Sequence, residues 1–373
     1  MKYLKRRHIE AAIFLILFIA FFGILSAHMG TKNMLSTIMV SAHDLLLNTV
    51  FYLMSITVLA GALGQLLIEF GVVRLLEFVF APLMRPLFNL PGVASLAGLM
   101  TFFSDNPAII SLAEDENFSS YFKKKELVSL TNFGTAFGMG LIVLTFMIGK
   151  GFFMPAMIGF AGAIVGAIVS TRIMQRLIRD HDMERTFFPK KAKEEKIHFE
   201  SEGSIFLRFI NSILDGGKTG VEIGLAIIPG VIIISSIIMI ITYGPKDPTI
   251  GYQGLAYEGV PLLPKAAGYF SWLFKGLFGF ESPEAIAFPI TALGAVGAAL
   301  SLIPSFLERG IIGANEIAVF TAMGMCWSGY LSTHTAMLDS LGYRELTSKA
   351  LISHTIGGVV AGTFAHYVFL LLS

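Results

Sequence analysis

The stretch with the clearest chemical potential is Ser104-Asp105-Asn106, followed by Pro107, because it places a carboxylate and an amide inside an apolar segment. A proline just after an Asp or Asn cap is typical of a helix start. Residues 93–103 also suit a short helix, so the sequence predicts two half-length helices that enter a membrane and leave on the same side. A carboxylate at that turn is costly against lipid. We therefore expect Asp105 to face a cavity or a partner, and in a cavity to accept a proton, Na⁺ or a solute donor; a buried hydrogen-bonded helix cap is the alternative.

Two later apolar segments contain polar residues near 131–138 and 321–330. In a broken transmembrane helix such groups replace lost backbone hydrogen bonds and can ligate an ion or a substrate. Packing of small residues between helices is the alternative, and the sequence leaves both open. Aromatic residues at matched positions in the two segments could stack on a flat ring or only fill space. The candidate binding residues are Ser104, Asp105, Asn106, Thr131, Asn132, Phe137, Thr321, Cys326, Trp327 and Ser328.

The composition identifies a polytopic membrane protein. Of 373 residues 54% are apolar and 14% are charged, with a mean hydropathy of +0.73, whereas soluble domains carry about 25% charged residues. One cysteine excludes a disulfide within the chain and a multi-cysteine metal site. The sequence holds no phosphate-binding glycine loop with a Lys-Ser/Thr ending and no H-E-x-x-H motif. We therefore expect no enzyme, no resident cofactor or metal, and no nucleic-acid partner.

The distribution of basic residues predicts the topology. Ten Lys and Arg fall between residues 172 and 218, which is typical of a cytoplasmic segment. If residues 91–113 form a re-entrant hairpin, this segment and the basic N-terminus both lie inside. Treating residues 285–307 in the same way places 21 of the 27 Lys and Arg inside. That second segment could also cross the membrane fully, and a cleaved signal peptide at residues 11–27 is a further alternative.

The two halves of the chain resemble one another. Sliding residues 97–147 by 190 positions without gaps gives eleven identities, among them Thr101/Thr291 and Glu126/Glu316. The order of elements also agrees: a span, an amphipathic stretch, a hairpin, a polar-interrupted span and a final span. Under the predicted topology the repeats begin on opposite sides. An inverted repeat of broken elements is typical of secondary transporters, with the site near the midplane.

Residues 104–107, 131–134 and 321–330 resemble the nucleoside-recognition or "Gate" domain membrane proteins, which include spore-maturation proteins. The order of hairpin and broken helix is also similar, more distantly, to concentrative nucleoside transporters and to the gate regions of ferrous-iron permeases. The resemblance covers residues 45–172 and 205–372 and implies a nucleoside or base as solute. One departure is that the second hairpin has no polar tip at Gly294-Ala295-Val296-Gly297, which weakens a symmetric two-carboxylate mechanism.

We therefore predict an all-α polytopic membrane protein of inverted repeats, each with a re-entrant helical hairpin and a broken transmembrane helix. Its predicted parts are residues 1–44 (an N-terminal span and an outer amphipathic segment), 45–171 (first repeat), 172–204 (basic cytoplasmic linker) and 205–373 (second repeat). We expect it in a bacterial inner membrane with a cytoplasmic N-terminus, either monomeric or as a homo-oligomer. The predicted function is to bind and move a small polar solute, coupled to H⁺ or Na⁺. A non-transporting scaffold and a metal-ion permease are the rivals.

Overall fold

The computed structural model describes residues 2–178 and 203–373. The predicted linker, residues 172–204, therefore lies largely outside the described residues. In the described ranges the chain is almost wholly helical, and six helices are long and apolar enough to cross a membrane. The all-α polytopic prediction is confirmed.

The helices that place the site are named here in chain order. In the first half they are α1 (Lys2–Met29), α2 (Thr31–Glu69), α3 (Val72–Leu83), α4 (Ala94–Phe103), α5 (Pro107–Glu114), α6 (Lys124–Thr135), α7 (Gly140–Gly149) and α8 (Phe153–Leu177). In the second half they are α9 (Ile205–Thr242), α10 (Leu262–Gly268), α11 (Ser271–Phe278), α12 (Ala287–Gly294), α13 (Val296–Glu308), α14 (Ala314–Cys326), α15 (Ser332–Ser340) and α16 (Thr347–Leu372).

The first predicted hairpin is formed by α4 and α5. These helices have 10 and 8 residues, so at 1.5 Å per residue each covers roughly half of a 30 Å hydrocarbon core or less. The chain turns at Ser104, whose φ of −120° and ψ of −106° end the first helix, and Pro107 begins the second. The second hairpin is formed by α12 and α13, which meet at the extended residue Ala295. Residues 285–307 thus form a hairpin, as predicted.

Both polar-interrupted segments are broken helices. The first breaks between α6 and α7, where Met139 takes a left-handed φ of +54°. The second breaks between α14 and α15, where Gly329 has a φ of +65°. These two left-handed residues are 190 positions apart, which is the offset of the sequence match.

The same offset relates the starts of the broken helices. Glu126 accepts the backbone N–H of Lys123 at 2.8 Å, and Glu316 accepts that of Gly313 at 2.9 Å. Each glutamate satisfies an N–H that the first helical turn leaves unpaired. The conserved sequence offset therefore corresponds to equivalent local structure in both halves.

The packing of the two halves is reciprocal. The opening helices α2 and α9 pack on each other, and so do the closing helices α8 and α16. Across the breaks, α6 contacts α15 while α7 contacts α14. This is the pattern that a two-fold relation between halves produces.

Small residues allow the close helix crossings. An added Cβ at Gly216 or Gly220 would overlap backbone atoms of α2, and one at Gly162 or Gly166 would lie within 2.7 Å of α16 atoms. Close backbone approach is the usual basis of helix association in lipid, where apolar surface gains nothing from burial.

One predicted boundary lies inside a continuous helix. The proposed border at residues 44 and 45 falls inside α2, because a turn of π-helix at Leu45–Val50 continues the helix without a break. The loop of residues 244–261 also docks on α2, where Asn33 Nδ2 donates to the Tyr252 carbonyl at 2.8 Å. The N-terminal segment is thus joined to both halves.

Candidate functional site

The tip of the first hairpin presents a carboxylate and an amide side by side. One Asp105 oxygen accepts the backbone N–H of Asn106 at 2.7 Å, which fixes the carboxylate over the start of α5. Asn106 occupies the cap position of α5, but its side chain makes no capping bond. The amide is therefore directed away from its own helix and toward the second half.

The Asn106 amide lies between the two helix breaks. Its Nδ2 donates to the Ser328 hydroxyl at 3.2 Å. An added Cβ at Gly138 or at Gly329 would overlap the amide, so both breaks need glycine where this side chain passes. The first hairpin tip thus contacts a break in each half at one point.

A cavity of about 510 Å³ opens beside this contact, a size typical of small-molecule sites. Its wall includes both hairpin tips, residues 105–107 and 294–297, together with Met139 of the first break and residues 328–329 of the second. Helix α9 contributes the remaining side, from Ile223 to Ile234. The cavity therefore lies where the two hairpins and the two breaks meet.

Asp105 is the one charged side chain in the cavity wall that the structure describes. No ion pair to it is found among the side chains of residues 7–178 and 203–373. Within the same ranges no group of three or more His, Cys, Asp or Glu could hold a metal ion. The wall therefore offers a single negative charge to whatever enters.

Of the ten candidate residues, three line this cavity: Asp105, Asn106 and Ser328. Ser104 turns away, because its hydroxyl donates to the Met100 carbonyl at 2.6 Å and faces a narrow gap against α2 and α9. The other six are absent from the cavity wall: Thr131, Asn132, Phe137, Thr321, Cys326 and Trp327.

Asn132 belongs instead to a buried polar cluster between helices. Its Nδ2 lies 2.9 Å from the Ser170 hydroxyl, 2.9 Å from the Ala350 carbonyl and 3.0 Å from the Ser353 hydroxyl. Ser170 in turn lies 2.9 Å from Nδ1 of His354. This cluster joins α6, α8 and α16, which corresponds to the packing alternative for this polar position.

Thr131 and Thr321 lie within α6 and α14 rather than in the breaks, and both are buried. Thr321 donates to the Ile317 carbonyl at 2.7 Å within its own helix and lies against Gly159. The Thr131 hydroxyl is buried with no hydrogen-bond partner in the described part of the chain. Neither threonine is part of the cavity wall.

Phe137 and Trp327, the matched aromatic residues that could stack on a flat ring or only fill space, both lie outside the cavity wall. Phe137 packs on Phe133 with ring centroids 5.3 Å apart, in an apolar cluster under the first hairpin. The Trp327 indole donates to the His354 carbonyl at 3.2 Å, and Cys326 is fully buried beside α8. These aromatic rings fill space between helices.

Several wall residues were not among the sequence candidates, notably Ser332, Thr333 and the apolar residues of α9. Gly138 and Gly329 could have indicated where the helices break, because glycines inside apolar helical segments often mark breaks. The α9 face carried no such signal, because an apolar residue that faces a cavity looks the same in sequence as one that faces lipid.

Comparison with known proteins agrees with this architecture. No protein-family model matches the sequence. "Sporulation integral membrane protein YlbJ" of Bacillus subtilis (strain 168) is 40% identical over 73 residues, which is 19% of this chain and 18% of that protein. The alignment thus spans less than a fifth of the relative.

Solved structures of CNTnw, a concentrative nucleoside transporter, are similar to the whole chain. A doubly substituted variant in an outward-facing state gives a TM-score of 0.58 at 15% identity, covering 98% of this chain and 85% of that chain. An inward-facing substrate-bound state gives a TM-score of 0.55 at 16% identity, covering 86% of this chain and 75% of that chain. The chain has the fold of these transporters.

Proposed function

We propose that the protein is a secondary carrier that binds a small polar solute in the cavity at Asp105 and moves it across the membrane. Support comes mainly from the position of the cavity: it lies between two hairpins and two helix breaks, the elements whose exposed backbone can bind a solute at membrane depth. The fold shared with CNTnw, solved in outward-facing and inward-facing states, supports the same reading. Nucleosides and bases are the first solutes to test.

Asp105 is proposed to couple binding to H⁺ or Na⁺. An ionised carboxylate at the midplane costs about 2.5–3.5 kcal/mol, and no cation in the described residues offsets it. A proton or a Na⁺ ion would supply the missing charge. The solute would then enter a neutralised cavity, which makes its affinity depend on the ion.

A scaffold without transport is the second candidate, favoured by the local match to a sporulation membrane protein. A sealed interface with Asp105 paired to a basic group would indicate this role. The open cavity, and the absence of an ion pair to Asp105 among the described residues, favour the carrier instead.

The test is a thermal-shift screen of the purified protein with nucleosides, bases, amino acids and cations, followed by uptake into proteoliposomes. We expect one solute class to raise the melting temperature and to accumulate only when a pH or Na⁺ gradient is imposed. Absence of binding and uptake for the whole panel would contradict the carrier function.

A further inference from the structure

Two further cavities adjoin the turn that joins α3 to the first hairpin. This turn is a short π-helix, Met84–Phe88. Arg85 and Asn89 line one cavity, of about 490 Å³, whereas Met84 and Leu87 line a second cavity, of about 370 Å³. Neither cavity shares a residue with the wall of the candidate solute site. The two cavities are therefore separate from that site and adjacent to each other.

The first of these, here called the basic cavity, has a strongly positive wall. Its charged side chains are four cations and one carboxylate: Arg85, Lys123, Lys124, Lys125 and Glu126. One Glu126 oxygen accepts from Arg85, and the other accepts the backbone N–H of Lys123 at 2.8 Å. The wall thus has a formal excess of three positive charges, which favours an anion in this cavity.

The basic cavity lies at the membrane end of two helices. It is lined by residues at the start of α6 and by Gln175, two residues before the end of α8. Helix α8 has 25 residues and is roughly 37 Å long, which exceeds the 30 Å of a hydrocarbon core. Its ends therefore reach the headgroup regions. Gln175 Nε2 also donates to the Phe88 carbonyl at 3.1 Å, which fixes the turn at this level.

The second cavity, here called the apolar cavity, is lined by seven phenylalanines and by other apolar side chains. The one polar side chain of its wall is Ser95, whose hydroxyl donates to the Gly92 carbonyl at 2.8 Å. The cavity extends to Ile164 of α8, which lies roughly 16 Å along the helix from Gln175. This depth is about half of the hydrocarbon core, the thickness of one leaflet.

We propose that the two cavities together bind one anionic phospholipid, with its phosphate in the basic cavity and an acyl chain in the apolar cavity. A free phosphate would leave the apolar cavity unfilled, and an uncharged apolar molecule would leave the basic wall without a counter-charge. An amphiphile matches both cavities, whose walls meet at the consecutive residues Met84 and Arg85. Basic pockets between transmembrane helices bind anionic lipid headgroups. The chain would contact Phe102 and Phe103, the last residues of α4 before the first hairpin tip.

Fluorescence quenching by brominated acyl chains tests the site directly. Leu76→Trp, in a Trp272→Phe background, places a reporter in the wall of the apolar cavity. The background protein without the reporter gives the signal of the remaining Trp327 for subtraction. In the detergent-solubilised full-length protein, brominated phosphatidylglycerol should quench the reporter at a concentration at least about tenfold lower than brominated phosphatidylcholine, because only the former adds a net negative headgroup.

Ile13→Trp in the same background is the control. Ile13 is 52% exposed on α1 and lines neither cavity, so the two lipids should quench it at the same concentration. Leu83→Trp, in the wall of the same apolar cavity, takes the place of Leu76→Trp if that variant does not fold. Equal quenching of the cavity reporter by the two lipids would overturn the proposal.

Substitution of lysines tests the source of the charge preference. Lys123→Gln combined with Lys125→Gln should raise the concentration of phosphatidylglycerol needed for half-maximal quenching by about fivefold for each lysine removed. Lys265→Gln combined with Lys275→Gln removes the same charge from α10 and α11, away from both cavities, and should leave this concentration unchanged. An equal effect of the two pairs would show that the preference follows the net charge of the protein, which would overturn the site.

Inorganic phosphate distinguishes the lipid from a free anion. At constant ionic strength, millimolar phosphate should leave quenching by phosphatidylglycerol unchanged, because phosphate lacks the acyl chain whose burial stabilises the complex. The contrary result is that phosphate raises the melting temperature of the wild type but not of the Lys123→Gln, Lys125→Gln variant, while phosphatidylglycerol does not quench the reporter. The basic cavity would then be a site for a free anion, and the lipid proposal would be wrong.

Discussion

The two hairpin tips occupy equivalent places in the two halves and have opposite chemistry. At the 190-residue offset, Asp105 and Asn106 correspond to Ala295 and Val296. Both tips line one cavity, yet only the first carries a charge and hydrogen-bonding side chains. The duplicated backbone thus supplies the shape of the site, and a few side chains of one half supply its chemistry.

Outside the tips, the two hairpins share a hydrogen bond. The intrahelical bond of Thr101 to the Ala97 carbonyl, at 2.7 Å, has its counterpart in Thr291 and Ala287 at 2.6 Å. Residues that maintain the hairpin are therefore shared, while those that face the cavity differ. This is the expected pattern where function depends on the tip and stability on the stem.

The prediction with the largest expected effect tests whether the two halves of the chain are inverted across a membrane. In a Cys326→Ser background, cysteines placed at Tyr121 and Lys265 should be labelled from opposite sides of intact cells. Tyr121 follows the first hairpin, and Lys265 lies in α10, ahead of the second hairpin. Labelling of both positions by an impermeant reagent from outside would contradict the inverted arrangement and with it the comparison of the tips.

A second prediction concerns the glycine beside the first tip. Gly138→Ala should lower the free energy of unfolding by about 1–3 kcal/mol, the usual cost of overpacking, because the added Cβ meets the Asn106 amide. Gly149→Ala is the control, because the atom nearest to an added Cβ at Gly149 is the Tyr52 hydroxyl oxygen, 3.6 Å away. Equal stability of the two variants in denaturant titration would show that the tip is not held by this contact.

A third prediction separates the cavity amide from the packing amide. Asn132→Ala should lower stability by about 1–3 kcal/mol, because it leaves polar partners on α8 and α16 unpaired, with solute affinity within about twofold of wild type. Asn106→Ala should weaken binding of the solute found in the screen by about tenfold, as loss of a buried hydrogen bond implies. If Asn132→Ala instead weakened solute binding and Asn106→Ala only lowered the melting temperature, the site would lie at the polar cluster between α6, α8 and α16.

The smallest effects are expected at Thr131 of α6 and Thr321 of α14. Thr131→Val should be neutral or slightly stabilising, because the hydroxyl it removes is buried without a partner in the described residues. Thr321→Val removes a bond of 2.7 Å and should cost about 0.5–1.5 kcal/mol. Thermal melting curves of the two variants measure these changes in stability. A large loss of solute affinity in either variant would show that the threonine contributes to the binding site.

The hairpins and breaks could be predicted because their signals are local. Pro107 after two cap residues predicts a helix start, and apolar segments too short for two crossings predict a hairpin. The direction of side chains could not be predicted, since Asn132 and Ser328 are both polar residues near a break. Which of them faces the cavity depends on how α6 and α14 rotate against α8 and α16, a tertiary outcome that a single sequence does not encode locally.

The measurement that tests the central claim most directly is solute affinity against pH and Na⁺ for wild type and Asp105→Asn. Asparagine keeps the size of the side chain and removes the charge, while Asp215→Asn, an exposed site on α9, is the control. We predict that wild type and the control show ion-dependent affinity and that Asp105→Asn folds but loses this dependence. Wild-type affinity with unchanged ion dependence in Asp105→Asn would contradict the account and assign Asp105 a structural role.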